Sequence, residues 1–342
     1  MRYKFFICLF ISAVISVTGF AQKDSVRFSG TTRFDKQYRF FFKGETHEYR
    51  KENANSLFAL LNYLHKANNV RYLVMEIGPD QAFIINRFLQ TGNVQLLEDN
   101  KPYLGKDLWM QVYTFNNKKA EKDKIKVLGF DFNRRLFTTR ALRMMIQNKV
   151  VSSSQQRLRD AIDDVTRWDT VIADAASDRG LEKDLSRLQD IVLKNDSSAR
   201  SLLVKEYTAF IDIVFNKTPA TSQVKRDRAM VAQFTDKLPG LTSGNFLFNY
   251  GIAHVFLNGA GAGNILSEKK EFDKQVCTIY SYYLDKDKSK FLRKIEEDLP
   301  SSFRDELDQM KSNTLIDLSA KEIYPAKFKK TQWVMTISIS SP

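Results

Sequence analysis

Apolar runs along this chain stop at glycines or charged residues, and helical spacings fill the stretches between them. Residues 37–43 form an aromatic-rich run that reads as a buried strand and ends at Gly44. Leu57, Leu60, Leu61 and Leu64 then recur at the three- and four-residue spacing of one helical face. A second buried strand is predicted over 71–77. Gly78-Pro79 closes it, with the proline suited to a first helical turn. Phe83, Ile84, Phe88 and Leu89 line the helix that follows as far as Gly92. A third strand is predicted over 125–132. Short connections in this β-α-β-α order predict parallel strands. Residues 22–36 read as a lead-in strand or loop, and 93–124 as mixed helix and loop.

The texture changes from about 139 to 238. No proline falls between Pro102 and Pro219, and the spacings Leu158/Ile162/Val165, Leu181/Leu185/Leu188 and Phe210/Ile211/Val214 are helical. This stretch predicts an insertion of three or four helices. Strand character returns at 245–250 and again at 274–284. Residues 286–312 read as helical with a break at Pro300. A last strand is expected over 333–339, at a sheet edge. The fold expected is α/β, a mostly parallel central sheet flanked by helices, with a helical insertion. Its segments are 1–21, 22–138 and 241–342 for the two parts of the core, and 139–240 for the insertion.

The first segment is the exception to the globular pattern. Met1-Arg2-Tyr3-Lys4 is basic, and the uncharged run from Phe5 to Phe20 follows. With Gly19-Phe20-Ala21 before Gln22 it reads as a signal peptide cleaved near Ala21-Gln22, which implies a periplasmic or secreted protein. The run is short of the roughly 20 residues of a spanning helix, and no later stretch reaches that length. No stable membrane span is expected after cleavage. Cys277 would then be the lone cysteine, so a disulfide scaffold is excluded. The formal net charge is +13, two units of which belong to Arg2 and Lys4. These charges are spread along the chain and often sit beside acids, as in Glu121-Lys122-Asp123-Lys124. A solvated basic surface and a small-molecule substrate are expected, rather than nucleic acid.

Candidate chemistry sits where strands end. Glu45 with His47, Glu76, Asp131 and His254 each fall at or just past the carboxyl end of an expected strand. In a parallel sheet those ends face one edge, where ligands bind. Two of the chain's three histidines are therefore expected at one rim. His65, on the first helix, has no such context and reads as a surface or boundary residue. A histidine beside a carboxylate can deprotonate water for attack on an ester, lactone or amide. A second histidine or a cation can stabilise the oxyanion. There is no Gly-x-Ser-x-Gly elbow, so water is the expected nucleophile. His47, Glu76 and His254 are also residue types that bind a divalent metal.

Several ordered pieces resemble the erythromycin-esterase/ChaN-like superfamily, to which the TraB and TIKI proteins are related. They are Gly44-Glu45-Thr46-His47, Tyr72-Leu73-Val74-Met75-Glu76 and Asn86-Arg87-Phe88-Leu89-Gln90-Thr91-Gly92. Gly129-Phe130-Asp131, Arg226-Asp227-Arg228-Ala229-Met230-Val231 and Gly251-Ile252-Ala253-His254 complete the set. The resemblance implies an exported esterase-like hydrolase with His47 as general base and Glu45 and Glu76 orienting it or sharing its protons. His254 would polarise the carbonyl, with Asp131 and Arg226 contacting substrate. No cofactor is required by that reading. One residue, Thr46, separates Glu45 from His47 where the esterases have two. That spacing is closer to ChaN-like proteins, which implies haem or iron binding as the alternative. A metal-dependent peptidase of the TIKI-like type is the third.

Overall fold

In a computed structural model of the chain, one eight-stranded sheet organises the molecule. The structure describes residues 26–339, apart from 32, 168–174, 220–221, 242–243, 257–260, 273, 286–287, 290–291, 294–295, 298 and 324–331. The expected signal peptide lies outside the described residues.

The strands are β1 (Arg27–Phe28), β2 (Phe40–Glu45), β3 (Val70–Met75), β4 (Lys126–Gly129), β5 (Asn245–Gly251), β6 (Val276–Leu284), β7 (Thr314–Asp317) and β8 (Trp333–Ser338). Their spatial order is β1-β7-β8-β6-β2-β5-β3-β4. The six strands from β8 to β4 are parallel. β7 pairs antiparallel with β8 and carries β1 beside it. The α/β class and the mostly parallel sheet are as the sequence predicts. The last strand is not an edge strand. β8 lies between β6 and β7, and all of it but Ser338 is buried. The strand that covers it, β7, is four residues long, too short for its alternation to register in the sequence.

Helices α1 (Arg50–Ala67), α2 (Pro79–Thr91), α3 (Gln95–Asn100) and α4 (Gly105–Asn116) link the strands of the first half. Leu57, Leu60, Leu61 and Leu64 of α1 pack with Phe88 of α2, Trp109 of α4 and Phe41 and Leu73 of the sheet. The opposite sheet face meets α10 (Gln223–Lys237), α12 (Ala262–Ser267) and α13 (Ser301–Asp308), through Phe234, Leu266 and Phe303. Phe40, Phe246 and Tyr72 stack across β2, β5 and β3 on that face. Aromatic cross-strand pairs of this kind hold register.

Between β4 and β5 the described residues form six helices where the sequence suggests three or four. They are α5 (Arg135–Ile146), α6 (Ser153–Thr166), α7 (Ala175–Lys194), α8 (Asp196–Leu203), α9 (Tyr207–Val214) and α10. Val204, at a φ of 43°, separates α8 from α9. Helices α5 to α9 enclose a core of their own with Ile84 of α2. A short helix, α11 (Ile252–Phe256), follows β5 directly. His65 is not at the surface. It is 5% exposed, packs edge-on to Phe115, and its Nε2 lies 2.8 Å from the Asp123 carbonyl. The buried face of α1 is wide enough to take in the position after Leu64.

Candidate active site

The carboxyl ends of β2, β5, β3 and β4 are neighbours, and the chain leaves β2 for β3 and β4 before returning to fill β5 and β6 around it. Such a reversal opens a crevice at the sheet's carboxyl edge. Glu45 is the last residue of β2, Glu76 directly follows β3, Asp131 closely follows β4, and His254 lies in α11 just after β5. The structure brings all of them, with His47 and Arg226, to this one edge.

His47 projects from a clamped turn. The Thr46 N–H donates to the Tyr283 hydroxyl at 3.0 Å, and Asn53 Nδ2 donates to the Thr46 carbonyl at 2.5 Å. Tyr283 in turn donates to Asn53 Oδ1 at 2.7 Å. The His47 ring is exposed, but one side of it is tied down. Tyr103 donates to Glu45 Oε1 at 2.6 Å, and His47 Nδ1 lies 2.7 Å from the same hydroxyl. A phenol has one proton to donate. Burial and the Glu45 charge both push the Tyr103 hydroxyl well above its ordinary range, so it keeps that proton. With the proton spent on Glu45, the hydroxyl oxygen accepts from His47 Nδ1–H. The neutral ring then presents Nε2 as an unprotonated base.

The other half of the site is a cluster of alternating charges. Glu76 Oε1 receives Arg226 Nη2 and lies 3.0 Å from His254 Nε2. Its Oε2 accepts the Gly251 N–H at 2.7 Å. Arg226 Nε is 2.9 Å from Asp131 Oδ1. His254 Nδ1 is 2.5 Å from Asp227 Oδ1. Burial alone would lower the His254 pKa, but hydrogen bonds to Asp227 and Glu76, and their charges, raise it to about 9. On Glu76 burial acts upward. The His254 hydrogen bond and charge, the Gly251 N–H and Arg226 outweigh it and bring Glu76 down to about 2. Asp131 moves the other way: burial and the Glu76 charge exceed the pull of Arg226 and raise it to about 6. His254 is thus an imidazolium and Glu76 a carboxylate at neutral pH.

These shifts fix a pH dependence. His254 is raised from 6.5 to about 9, so its stabilisation is complete below 6.5 and is lost as pH rises towards 9. Asp131, raised from 3.8 to about 6, also favours the folded state less as pH rises through 6. Glu76 opposes only in acid, where its stabilisation is lost between 4.5 and about 2. The Tm is therefore expected to fall as pH is raised from 6 to 9 in a thermal melt series. A flat Tm over that range contradicts an imidazolium at His254.

The two halves meet above Gly251. A methyl built on Gly251 would lie 3.1 Å from Glu76 Oε2, 3.4 Å from His47 Nε2 and 3.7 Å from His254 Cδ2. Only the missing side chain of a glycine leaves that space open. The residues do not fit the metal set that the sequence admits at His47, Glu76 and His254. Arg226 occupies Glu76 Oε1, and both His254 nitrogens are engaged. Among the described residues no group of three His, Cys, Asp or Glu is placed to hold an ion.

Sequence reasoning missed Tyr103 and Asp227. Asp227 was visible beside Arg226, in a helix whose neighbouring residue was already a candidate. Tyr103 lies in the loop between α3 and α4, where no periodicity marks it.

No protein-family model and no curated protein matches the chain. Solved structures do. A Bacillus cereus protein is 18% identical over 88% of both chains, with a TM-score of 0.56. A mutant of erythromycin esterase EreC in its open conformation is 13% identical, over 72% of this chain and 71% of that one, with a TM-score of 0.46. ChaN of Campylobacter jejuni, described with cofacial haem, is 14% identical over 74% of this chain and 84% of that one, with a TM-score of 0.32. The Bacillus cereus likeness shows a shared fold. The other two alignments, below a TM-score of 0.5, carry no argument of their own.

Proposed function

We propose that the chain is a hydrolase that uses water to cleave an ester or lactone of a small molecule, with His47 as general base. The observation that carries this reading is the convergence of His47 Nε2 and Glu76 Oε2 on the open space above Gly251, 3.4 and 3.1 Å from one point in it. A water held between these two groups, farther out from the Gly251 backbone, can donate one hydrogen to each. General base catalysis needs this reach between base and nucleophile.

The reaction proceeds in two balanced steps. The water oxygen bonds to the acyl carbon as its proton passes to His47 Nε2, and the carbonyl π electrons move onto oxygen. Arg226 and the His254 imidazolium supply positive charge beside Glu76 as that oxyanion forms. The carbonyl then reforms, the C–O bond to the leaving group breaks, and the departing alkoxide takes the proton from His47. A carboxylic acid and an alcohol result. No described helix is long and apolar enough to cross a membrane. The signal-peptide pattern of residues 1–21 supports a reaction outside the cytoplasm, which is part of this proposal.

A panel of esters and lactones, run with and without chelator, tests it. Wild-type protein hydrolyses at least one member in both conditions. Gly251→Ala, which puts a methyl 3.1 Å from Glu76 Oε2 and 3.4 Å from His47 Nε2 and so crowds the water between them, lowers that rate by up to about 10²-fold, the scale of an ångström-level misplacement. No hydrolysis across the panel, or an unchanged Gly251→Ala, overturns the reading. Haem capture would use the same exposed nitrogen. A Soret band on haem titration that is lost in His47→Gln, with no ester cleaved, replaces the hydrolase by that alternative.

A further inference from the structure

Below the site, β2 carries a lysine where a buried strand should be apolar. Lys43 is 0% exposed, and Glu45, two residues on and on the same face, is 1% exposed. Lys43 Nζ lies 3.5 Å from Glu45 Oε2 and 3.4 Å from Asn249 Oδ1. Among the described residues, Glu45 Oε2 and Asn249 Nδ2 have no hydrogen-bond partner. Burial lowers the Lys43 pKa, and the charge of Glu45 acts upward against it. Lys43 cannot reach a substrate.

We propose that Lys43 is a positioning residue that sets the tautomer of His47 through Glu45 and Tyr103. This rests on the hydrolase reading for its consequence but not for its test. An ammonium is donor-only, and a carboxylate paired with it is acceptor-only. Tyr103 must then donate to Glu45 Oε1, at 2.6 Å, and accept from His47 Nδ1, at 2.7 Å. Nε2 is left without a proton, above Gly251. The other titratable groups near the pair are Tyr283 on β6 and Glu76 beyond β3. Burial and the Glu45 charge keep the Tyr283 hydroxyl protonated, and Glu76 is paired with Arg226. Neither can supply the charge that Lys43 supplies.

Removing that charge reverses the chain of donors. A carboxylate buried without a cation takes up a proton. Glu45 then donates to the Tyr103 oxygen, Tyr103 donates to His47 Nδ1, and the ring proton moves to Nε2. That tautomer cannot deprotonate water.

The experiment reads the tautomer directly. With three histidines in the chain, long-range nitrogen–proton NMR correlations are resolvable, and His47→Gln assigns the His47 signals. In wild-type protein the neutral His47 ring is expected to show the Nδ1–H form. In Lys43→Met it moves to the Nε2–H form, and kcat for any cleaved ester falls at least about tenfold with KM unchanged. Tyr103→Phe, which changes no charge, covers the case in which Lys43→Met does not fold. It is expected to give a mixture of tautomers. A wild-type ring in the Nε2–H form overturns the proposal. So does a pure Nδ1–H form in either variant. The tautomer needs no substrate to be seen. A wild-type protein showing Nδ1–H that cleaves no ester sinks the hydrolase and leaves the relay standing.

Discussion

Replacing His47 by glutamine is expected to lower ester hydrolysis by about 10²- to 10⁴-fold, the range for loss of a positioned general base. Glutamine can still hydrogen-bond Tyr103, so the turn keeps its anchor while the site loses its proton acceptor. The His47 ring is exposed, and the turn that carries it is held by Thr46, Asn53 and Tyr283 rather than by the ring. The melting temperature should therefore change little. A surface substitution away from special features stays within about 0.5 kcal/mol. Steady-state rates for wild type and His47→Gln on the best panel substrate provide the check. A loss below tenfold with an unchanged melt removes His47 from the role of base. The same variant distinguishes His47 from His254. With its pKa raised to about 9, His254 holds its proton at neutral pH and cannot take the one that water gives up.

Much of this site was legible because of where strands end. In a parallel sheet each strand's carboxyl end falls on one edge, so Glu45, Glu76, Asp131 and His254 could be placed together by counting from apolar runs. The sheet order then makes β2, β5, β3 and β4 neighbours, which the linear pattern does not state. What stayed hidden depends on contacts rather than on period. Tyr103 meets Glu45 across 58 residues from a loop with no repeat to mark it. Asp227 meets His254 across 27 residues and can be assigned only once α10 is seen to pack over the end of β5. Lys43 carried a readable signal, a charge inside an aromatic strand, but its meaning depends on Asn249 of β5 lying opposite it. The insertion was legible as helical but not in its number of helices, since Val204 turns the chain between α8 and α9.

The second large effect belongs to Arg226, a cation that touches two of the acids. Its guanidinium meets Glu76 through Nη2 and Asp131 through Nε, and its side chain is 19% exposed. Arg226→Met leaves both carboxylates nearly buried and short of a partner. Breaking a buried ion pair by removing one member costs about 3–5 kcal/mol, and the partial exposure of Arg226 puts the expected loss at about 3 kcal/mol. The loss has a sign in pH. Without Arg226 the folded-state pKa values of Glu76 and Asp131 both rise. A raised carboxyl favours the folded state at low pH and opposes it as pH passes through the folded value. Asp131 already stands at about 6 with Arg226 present. The destabilisation should therefore be present near pH 5, where Glu76 is ionised, and larger near pH 8, where Asp131 is ionised as well, as read by urea unfolding at the two values. Asp131→Asn in the same background removes one unpaired charge and should recover part of the loss at pH 8 and little at pH 5. Destabilisation at neither pH value would mean that Arg226 pairs usefully with neither carboxylate. In that case the charge cluster would not hold Glu76 ionised for the water above Gly251.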